Sequence, residues 1–244
     1  LKNKRALIVG ASSGIGLACA VALAEYGASI TIAARRTQKL EELSNSLESK
    51  NIAVELLELD ISKTNKTLQI INDLDPFDVL VNSAGMAKHS YSVETKEADF
   101  DDVMGINLKG AYFLTMAVAK RLMSAKKSGS LINISSQMGL VGGQERAVYS
   151  ASKHAVEGFT KSIAIELGKS DIRVNTICPT FILTDLTKPT FEDPEKIAWI
   201  KSKIKLGRVG KVEDIMGAVV FLASDASALI TGSSLVIDGG WTAE

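Results

Sequence analysis

Histidine, cysteine, proline and aromatic residues are all scarce in this sequence. The 244 residues include 2 histidines, 2 cysteines and 4 prolines, and aromatic residues make up 5%. His89 and His154 are too few for a histidine-based metal site, and Cys19 and Cys178 fit no metal-ligand spacing, so no metal is predicted. The two cysteines are expected to be reduced thiols in or near the core, which suits a cytoplasmic protein.

Net charge and long apolar runs are lacking as well. Lys+Arg and Asp+Glu both number 28 and the formal net charge is zero, so neither nucleic acid nor an acidic membrane surface is an expected partner. No run approaches the roughly 18 apolar residues of a transmembrane helix, and no signal peptide is expected. Hydrophobic residues nevertheless make up 46%, enough for the core of a single α/β domain spanning residues 1–244.

Short apolar runs alternate with helical patterns along most of the chain. Strands are predicted at residues 5–9, 29–33, 54–59, 78–81, 130–134, 173–177 and 234–237. The segments between them favour helices, one of which contains Tyr149 and is expected to end at Gly168. Repeated βα units of this length predict one Rossmann-like, doubly wound parallel sheet of about seven strands with helices on both faces. Residues 185–206 lack the pattern and are predicted to form a substrate loop or lid.

A glycine-rich turn follows the first predicted strand and precedes a helix. Glycines allow a tight turn and close backbone approach, and a helix N-terminus favours an anion, so this order suits the diphosphate of a dinucleotide. The spacing is Gly-x-x-x-Gly-x-Gly rather than Gly-x-Gly-x-x-Gly, and the alternative is a turn with no ligand. The residues predicted to bind the coenzyme here are Gly10, Ser12, Ser13, Gly14, Ile15 and Gly16.

The second strand ends in Ala34-Arg35-Arg36. In this architecture a carboxylate at this point binds the ribose 2′-hydroxyl, and here two guanidinium groups take its place. Arginine binds phosphate as a bidentate fork, so Arg35 and Arg36 predict NADP(H) rather than NAD(H). The alternative is that both arginines are solvated charges.

Further candidate residues close the third and fourth strands. Because the carboxyl ends of parallel strands lie at one edge of the sheet, these residues are expected to join the same coenzyme site. They are Asp60, Ile61, Asn82, Ala84 and Gly85.

Tyr149 and Lys153 are four residues apart on a predicted helix. Side chains at this spacing share one face, and a cation near a phenol stabilises the phenolate. The pair is therefore a candidate for acid–base catalysis. The alternative is an ordinary pair on the helix surface.

Taken in order, these motifs resemble the short-chain dehydrogenase/reductase family, and its 3-oxoacyl-carrier-protein reductases in particular, from Arg5 to Gly240. Ser135 and Ser136 compete for one position, and the Ser-x-x-Gly pattern ending at Gly139 favours Ser136, thirteen residues before Tyr149. The residues that match the catalytic tetrad of the family are Asn107, Ser136, Tyr149 and Lys153.

The resemblance implies a role for each member of the tetrad. Tyr149 would exchange a proton with the substrate oxygen, and Ser136 would hydrogen-bond the same oxygen. Lys153 would assist Tyr149 and hold the nicotinamide ribose, and Asn107 would hold a water molecule. Tyr149 and Lys153 would thus contact the coenzyme as well.

The resemblance also implies a nicotinamide loop that includes Pro179, Ile182 and Thr184. The chain departs from the family pattern at two positions: Val9 stands where threonine is usual before the first glycine, and Thr180 stands where glycine usually follows the proline. Thr180 lacks the conformational freedom of glycine, so the loop is expected to differ locally.

The implied function is NADP(H)-dependent interconversion of a small-molecule carbonyl compound and a secondary alcohol. One alternative is a 3-oxoacyl-[acyl-carrier-protein] reductase, with Lys126, Lys127 and Lys169 as a basic landing patch. Others are an NAD-dependent sugar or polyol dehydrogenase and, more remotely, a nucleotide-sensing protein without catalysis. The helix after Gly110 and the Tyr149 helix are more apolar than one face requires, which, with the pairing usual in the family, predicts a homotetramer.

Overall fold

The computed structural model describes residues 1–48, 52–185 and 187–243. One parallel sheet runs through it, with strands in the order β3-β2-β1-β4-β5-β6-β7. This confirms the predicted Rossmann-like sheet. The strands are β1 Arg5–Val9, β2 Ser29–Ala34, β3 Val54–Glu58, β4 Val79–Asn82, β5 Gly129–Ile134, β6 Ile172–Pro179 and β7 Ser234–Ile237.

The strands are apolar because the sheet is covered on both faces. In β1, Ala6 and Ile8 pack into one core and Leu7 and Val9 into the other, and all four are buried. Because both sides of the strand are buried, its sequence is a continuous apolar run and does not alternate between apolar and polar residues.

Nine α-helices lie within the described residues, and six of them cover the two faces of the sheet. Side chains of α1, α2 and α9 pack into one core, and those of α3, α5 and α6 into the other. The helices are α1 Gly14–Glu25, α2 Thr37–Glu48, α3 Thr64–Asp73, α4 Glu97–Met104, α5 Ala111–Ser124, α6 Ala147–Leu167, α7 Lys188–Phe191, α8 Pro194–Lys203 and α9 Glu213–Ala223. Among these, none has the length and apolarity that crossing a membrane requires.

Three local features differ from the prediction or add to it. Helix α6 ends at Leu167 with Gly168 as its C-cap, as predicted, but Gly168 has φ −56°, a 3₁₀ turn continues to Ser170, and Asp171 takes the left-handed conformation at φ 56°. A π-helical turn, Gly105–Gly110, joins α4 to α5. The predicted lid, residues 185–206, contains α7 and α8, and its residue 186 lies outside the described residues.

The strand order reverses direction around β1, which has β2 on one side and β4 on the other. Ligands of such sheets bind outside the carboxyl ends of the strands at this switch point. The turn after β1 and the turn after β4 therefore meet at one cleft.

Candidate active site

A cavity of about 470 Å³ opens at the carboxyl ends of the strands. It brings together the glycine turn, the arginines after β2, the ends of β3 and β4, and part of α6. The predicted site residues that line it are Gly10, Ser12, Ser13, Gly14, Ile15, Arg35, Arg36, Asp60, Ile61, Ala84, Gly85, Tyr149, Lys153 and Thr184.

The glycine turn has the close backbone packing that its spacing predicts. Gly10 has φ +84°, and a Cβ added to Gly16 would lie 2.3 Å from the Gly10 carbonyl oxygen. The turn leads into α1, whose N-cap Ser13 makes no side-chain capping hydrogen bond. The first N–H groups of α1 are thus left for an anion at this end of the cavity.

The end of β2 presents positive charge to the same cavity. Arg35 and Arg36 are exposed, and Arg36 Nη2 donates a 2.9 Å hydrogen bond to Ser12 Oγ in the glycine turn. Arg36 therefore joins the end of β2 to the glycine turn. Ala34 leaves no carboxylate between them.

Lys153 is the buried cation of the site. Its side chain is 4% exposed, its Nζ donates to the Ile134 carbonyl oxygen at 2.9 Å, and Nζ lies 5.7 Å from the centroid of the Tyr149 ring. The helical spacing thus places the ammonium group beside the phenol. A Cβ added to Gly85 would lie 3.8 Å from Lys153 Nζ and 3.4 Å from Asn107 Oδ1, so Gly85 leaves space where these two side chains converge.

Asn107 lies in the π-helical turn, and its amide is engaged at both ends. Oδ1 accepts from Met86 N at 2.8 Å, while Nδ2 donates to Met86 O at 2.8 Å and to Ser152 Oγ at 3.1 Å. The side chain is buried behind the cavity. It ties the loop after β4 to α6 and thereby fixes the wall beside Lys153.

Ser135 and Ser136 occupy different environments. Ser135 lines the cavity, and its buried Oγ has no hydrogen-bond partner among the residues that the structure describes. Ser136 caps a 3₁₀ turn, where its Oγ accepts from Met138 N at 3.1 Å. This bond fixes the Ser136 side chain and leaves its hydroxyl proton available for donation.

Four predicted coenzyme contacts lie behind the cavity surface and act through packing. Gly16 packs against the glycine turn, and Asn82 Nδ2 donates to Asn133 Oδ1 at 3.0 Å, which joins β4 to β5. Pro179 is the last residue of β6, and Ile182 is buried and forms a bridge with Gly210. The prediction assigned Gly16 to the coenzyme as part of the glycine turn, Asn82 as the end of the fourth strand, and Pro179 and Ile182 through the nicotinamide loop that the family resemblance implies.

The structure adds residues on the substrate side that the motifs did not indicate. Met86, Ala87 and Ile106 line the cavity. The His89 ring stands edge-on to Tyr149, with the centroids 6.4 Å apart at an interplanar angle of 80°. Arg146 immediately precedes α6 and lies three residues before Tyr149. This position was the one feature of the sequence that could have indicated Arg146 as a residue near the active site.

Comparison with known proteins agrees with this geometry. A family model described as Enoyl-(Acyl carrier protein) reductase matches residues 10–242. D-erythrulose reductase of Gallus gallus is 34% identical over 98% of this chain and 96% of its own length. The 3-oxoacyl-[acyl-carrier-protein] reductase of Vibrio harveyi is 37% identical over 98% of each chain. The crystal structure of gluconate 5-dehydrogenase from Burkholderia cenocepacia J2315 with NADP and tartrate gives a TM-score of 0.96 at 31% identity, covering 100% of this chain and 97% of the other.

Proposed function

Since the chain belongs to the short-chain dehydrogenase/reductase family and is an oxidoreductase acting on CH–OH groups, we propose that it interconverts a small-molecule carbonyl compound and a secondary alcohol with NADP(H). The observation that carries the proposal is the single cavity shared by Tyr149, Lys153, the glycine turn and the two arginines. Acid–base groups and a dinucleotide-shaped cleft at one place suit hydride transfer to or from an oxygen-bearing carbon.

The chain's own residues fit a dinucleotide phosphate. The tight glycine turn and the uncapped N-terminus of α1 suit the diphosphate. Arg35 and Arg36 suit a 2′-phosphate, and the absence of a carboxylate at Ala34 removes a repelling charge. The NADP bound in the gluconate 5-dehydrogenase neighbour supports the same choice.

The tetrad residues transfer the proton and stabilise the charge that develops, while the nicotinamide supplies the hydride chemistry. Tyr149 gives a proton to the carbonyl oxygen during reduction and takes it back during oxidation. Lys153 stabilises negative charge on Tyr149, and Ser136 donates to the substrate oxygen as negative charge develops there. Asn107 holds the wall beside Lys153 and, as the family resemblance implies, a water molecule in the proton path.

The positions of three lysines favour a polyol, sugar or sugar-acid substrate over an acyl-carrier-protein thioester. Both kinds of enzyme occur among the relatives, so their names do not separate the two substrate classes. Lys126 and Lys127 directly precede β5, and Lys169 precedes β6, so these lysines lie at the amino edge of the sheet, opposite the cavity. They do not form a landing patch at the cleft.

The proposal extends to the whole molecule. It comprises a single domain of residues 1–244, a substrate lid at residues 185–206 and a homotetramer in the cytoplasm. Cys19 and Cys178 are both buried and free, which suits a reducing compartment.

The test is the oxidation or formation of NADPH with a panel of ketones, sugars, sugar acids and acyl thioesters, using wild type and Tyr149→Phe. The variant loses only the proton-exchanging hydroxyl, so NADPH should still bind while kcat falls about 10²–10⁴-fold. Coenzyme binding without turnover of any panel member by wild type would instead support a nucleotide-sensing protein. A Tyr149→Phe variant that keeps more than about a tenth of wild-type kcat would remove Tyr149 from the proposed role.

A further inference from the structure

Arg146 carries a charge that the described part of the chain does not neutralise. Its guanidinium lies 5.7 Å from the centre of the Phe181 ring, and no carboxylate described by the structure lies within salt-bridge distance of it. Burial lowers the pKa of Arg146, while Tyr149 and Glu145 act in the opposite direction. A partly desolvated guanidinium without a counter-ion is a natural partner for an anion, and this one lies within electrostatic range of Tyr149.

His89 adds a neutral polar group on the same side of Tyr149. Its ring meets the Tyr149 ring edge-on, and burial followed by the charge of Arg146 lowers the pKa of the imidazole to about 4. Near neutral pH the ring is therefore uncharged, with one nitrogen able to donate and the other able to accept a hydrogen bond. It offers contacts to a hydroxyl-bearing substrate without competing with Arg146 for an anion.

An aromatic wall extends from Arg146 toward the predicted lid. The Phe181 ring lies 5.8 Å from Trp241, and Trp241 lies 5.5 Å from Trp199 of α8. The wall thus links the loop after β6, the lid and the C-terminal turn. One end of it is cationic and close to the proton-exchanging tyrosine, and the rest offers apolar faces.

From this arrangement we infer that the substrate is a hydroxy acid, or the corresponding oxo acid, whose carboxylate pairs with Arg146 while its secondary alcohol carbon faces Tyr149. The inference rests on the proposed function and names its substrate class. During oxidation the carbinol C–H bond breaks, the hydride with its two electrons passes to NADP⁺, and the O–H proton passes to Tyr149. A C=O bond forms, and the carboxylate is unchanged.

The charge of Arg146 distinguishes this substrate class from the neutral ones. A polyol or ketose of the same length would leave the guanidinium without a counter-ion in a partly buried place, whereas a carboxylate makes charge-assisted hydrogen bonds with it. The tartrate present in the gluconate 5-dehydrogenase neighbour is a hydroxy acid of this kind, bound to that protein.

The test compares acids with neutral compounds of the same carbon skeleton: gluconate with glucitol, and threonate with threitol. Wild type should have the higher kcat/KM for an acid in these pairs. Arg146→Gln should lower the acid-to-polyol ratio of kcat/KM by about 10–100-fold, mainly through the KM of the acid, because the lost bonds are charge-assisted. Arg146→Lys should retain part of the ratio, since it keeps the charge but loses the bidentate fork.

Lys169→Gln is the matched control, because it removes one positive charge at the opposite edge of the sheet and should leave the ratio unchanged. A ratio that Arg146→Gln does not alter, or an equal loss for acid and polyol, overturns the inference and leaves the proposed function standing. Wild-type activity with neutral substrates or acyl thioesters, together with no activity toward any acid, would also overturn the inference and leave the proposed function standing. Coenzyme binding without turnover of any alcohol or carbonyl compound overturns both proposals.

Discussion

Ser135 and Ser136 are neighbours in sequence, yet their hydroxyl groups are held in different ways. Ser136 Oγ accepts from Met138 N, so its proton is free for the substrate oxygen. Ser135 lines the cavity, but no hydrogen bond within the described part of the chain fixes its Oγ. The pattern Ser-x-x-Gly and the backbone bond to Ser136 both favour Ser136 as the donor.

This difference gives a paired prediction. Ser136→Ala should lower kcat about 10²–10³-fold, the usual effect of removing one donor to a developing oxyanion, while Ser135→Ala should keep kcat within a fewfold of wild type. Steady-state kinetics at saturating coenzyme measures both, and NADPH binding checks that each variant is folded. The assignment is reversed if Ser135→Ala is the more damaging substitution.

His89 makes a pH-dependent contribution to stability. Its pKa in the folded chain is about 4, below the value of about 6.5 for an unperturbed histidine. The unfolded chain therefore binds a proton more readily than the folded chain, and the contribution of His89 to stability is lost as pH falls from about 6.5 through 4.

Replacing His89 with Gln should remove that loss. Thermal unfolding followed from about pH 7.5 to pH 4.5 should show a smaller fall in Tm for His89→Gln than for wild type, with the difference confined to pH values below about 6.5. Other acidic groups titrate equally in both proteins, so the comparison isolates the imidazole. Parallel Tm curves over this range would contradict the lowered pKa.

At the scale of single elements, we expect the end of β2 to determine the choice of coenzyme. Ala34, Arg35 and Arg36 follow one another there, and Arg36 is held by Ser12. A phosphate bound by arginine in this partly exposed place should contribute roughly 1.5–3 kcal/mol, or about 10–100-fold in kcat/KM. Wild type should therefore prefer NADPH to NADH by that factor.

The double substitution Ala34→Asp with Arg35→Ser should reverse the preference, because the new carboxylate accepts from the ribose diol and repels a 2′-phosphate. Arg36→Ser alone should weaken the use of NADPH without improving the use of NADH. Kinetics with both coenzymes and one substrate measures these effects. Equal or better use of NADH by wild type would mean that the arginines are only surface charge.

The strands and most helices could be predicted from the sequence because the period of the apolar residues and the length of each segment indicate the same type of element. β1, Arg5–Val9, and β7, Ser234–Ile237, are short apolar runs and have the predicted bounds. The π-helical turn could not be predicted, since one additional residue per turn leaves the apolar pattern almost unchanged across Gly105–Gly110. The end of α6 could be predicted from Gly168, although glycine permits a left-handed conformation without requiring it, and Asp171 adopts it instead.

At the scale of the whole molecule, the coenzyme side of the cleft was more predictable than the substrate side. The glycine turn is one continuous segment, and Tyr149 and Lys153 lie on one helix. Their relative positions therefore follow from their spacing in the sequence. Arg146, Phe181 and Trp241 come from three separate elements and meet only in the folded chain. Side chains that converge in this way leave no periodic signal in the sequence.

Exposed apolar side chains remain both on the helices and at the β7 edge of the folded chain, and one group is taken from each. The first, called the helical face, comprises Phe100 and Tyr112, with Tyr112 38% exposed and packed edge-on against Phe159. The second, called the edge face, comprises Leu229, which is 99% exposed, and Val236 of the outermost strand β7. A tetramer with dihedral symmetry requires two different self-complementary interfaces, and these faces are the candidates for them.

Light scattering should therefore give about four times the 26.0 kDa mass of the chain. Tyr112→Glu on the helical face and Leu229→Glu on the edge face should each give a dimer, because each substitution places charge in one interface and leaves the other intact. The two together should give a monomer, while Tyr26→Glu, an exposed aromatic residue outside both faces, should leave the tetramer unchanged. A wild-type mass of 26.0 kDa at micromolar concentration would contradict the tetramer, and a dimer that only one of the two substitutions dissociates would mean that a single face is used.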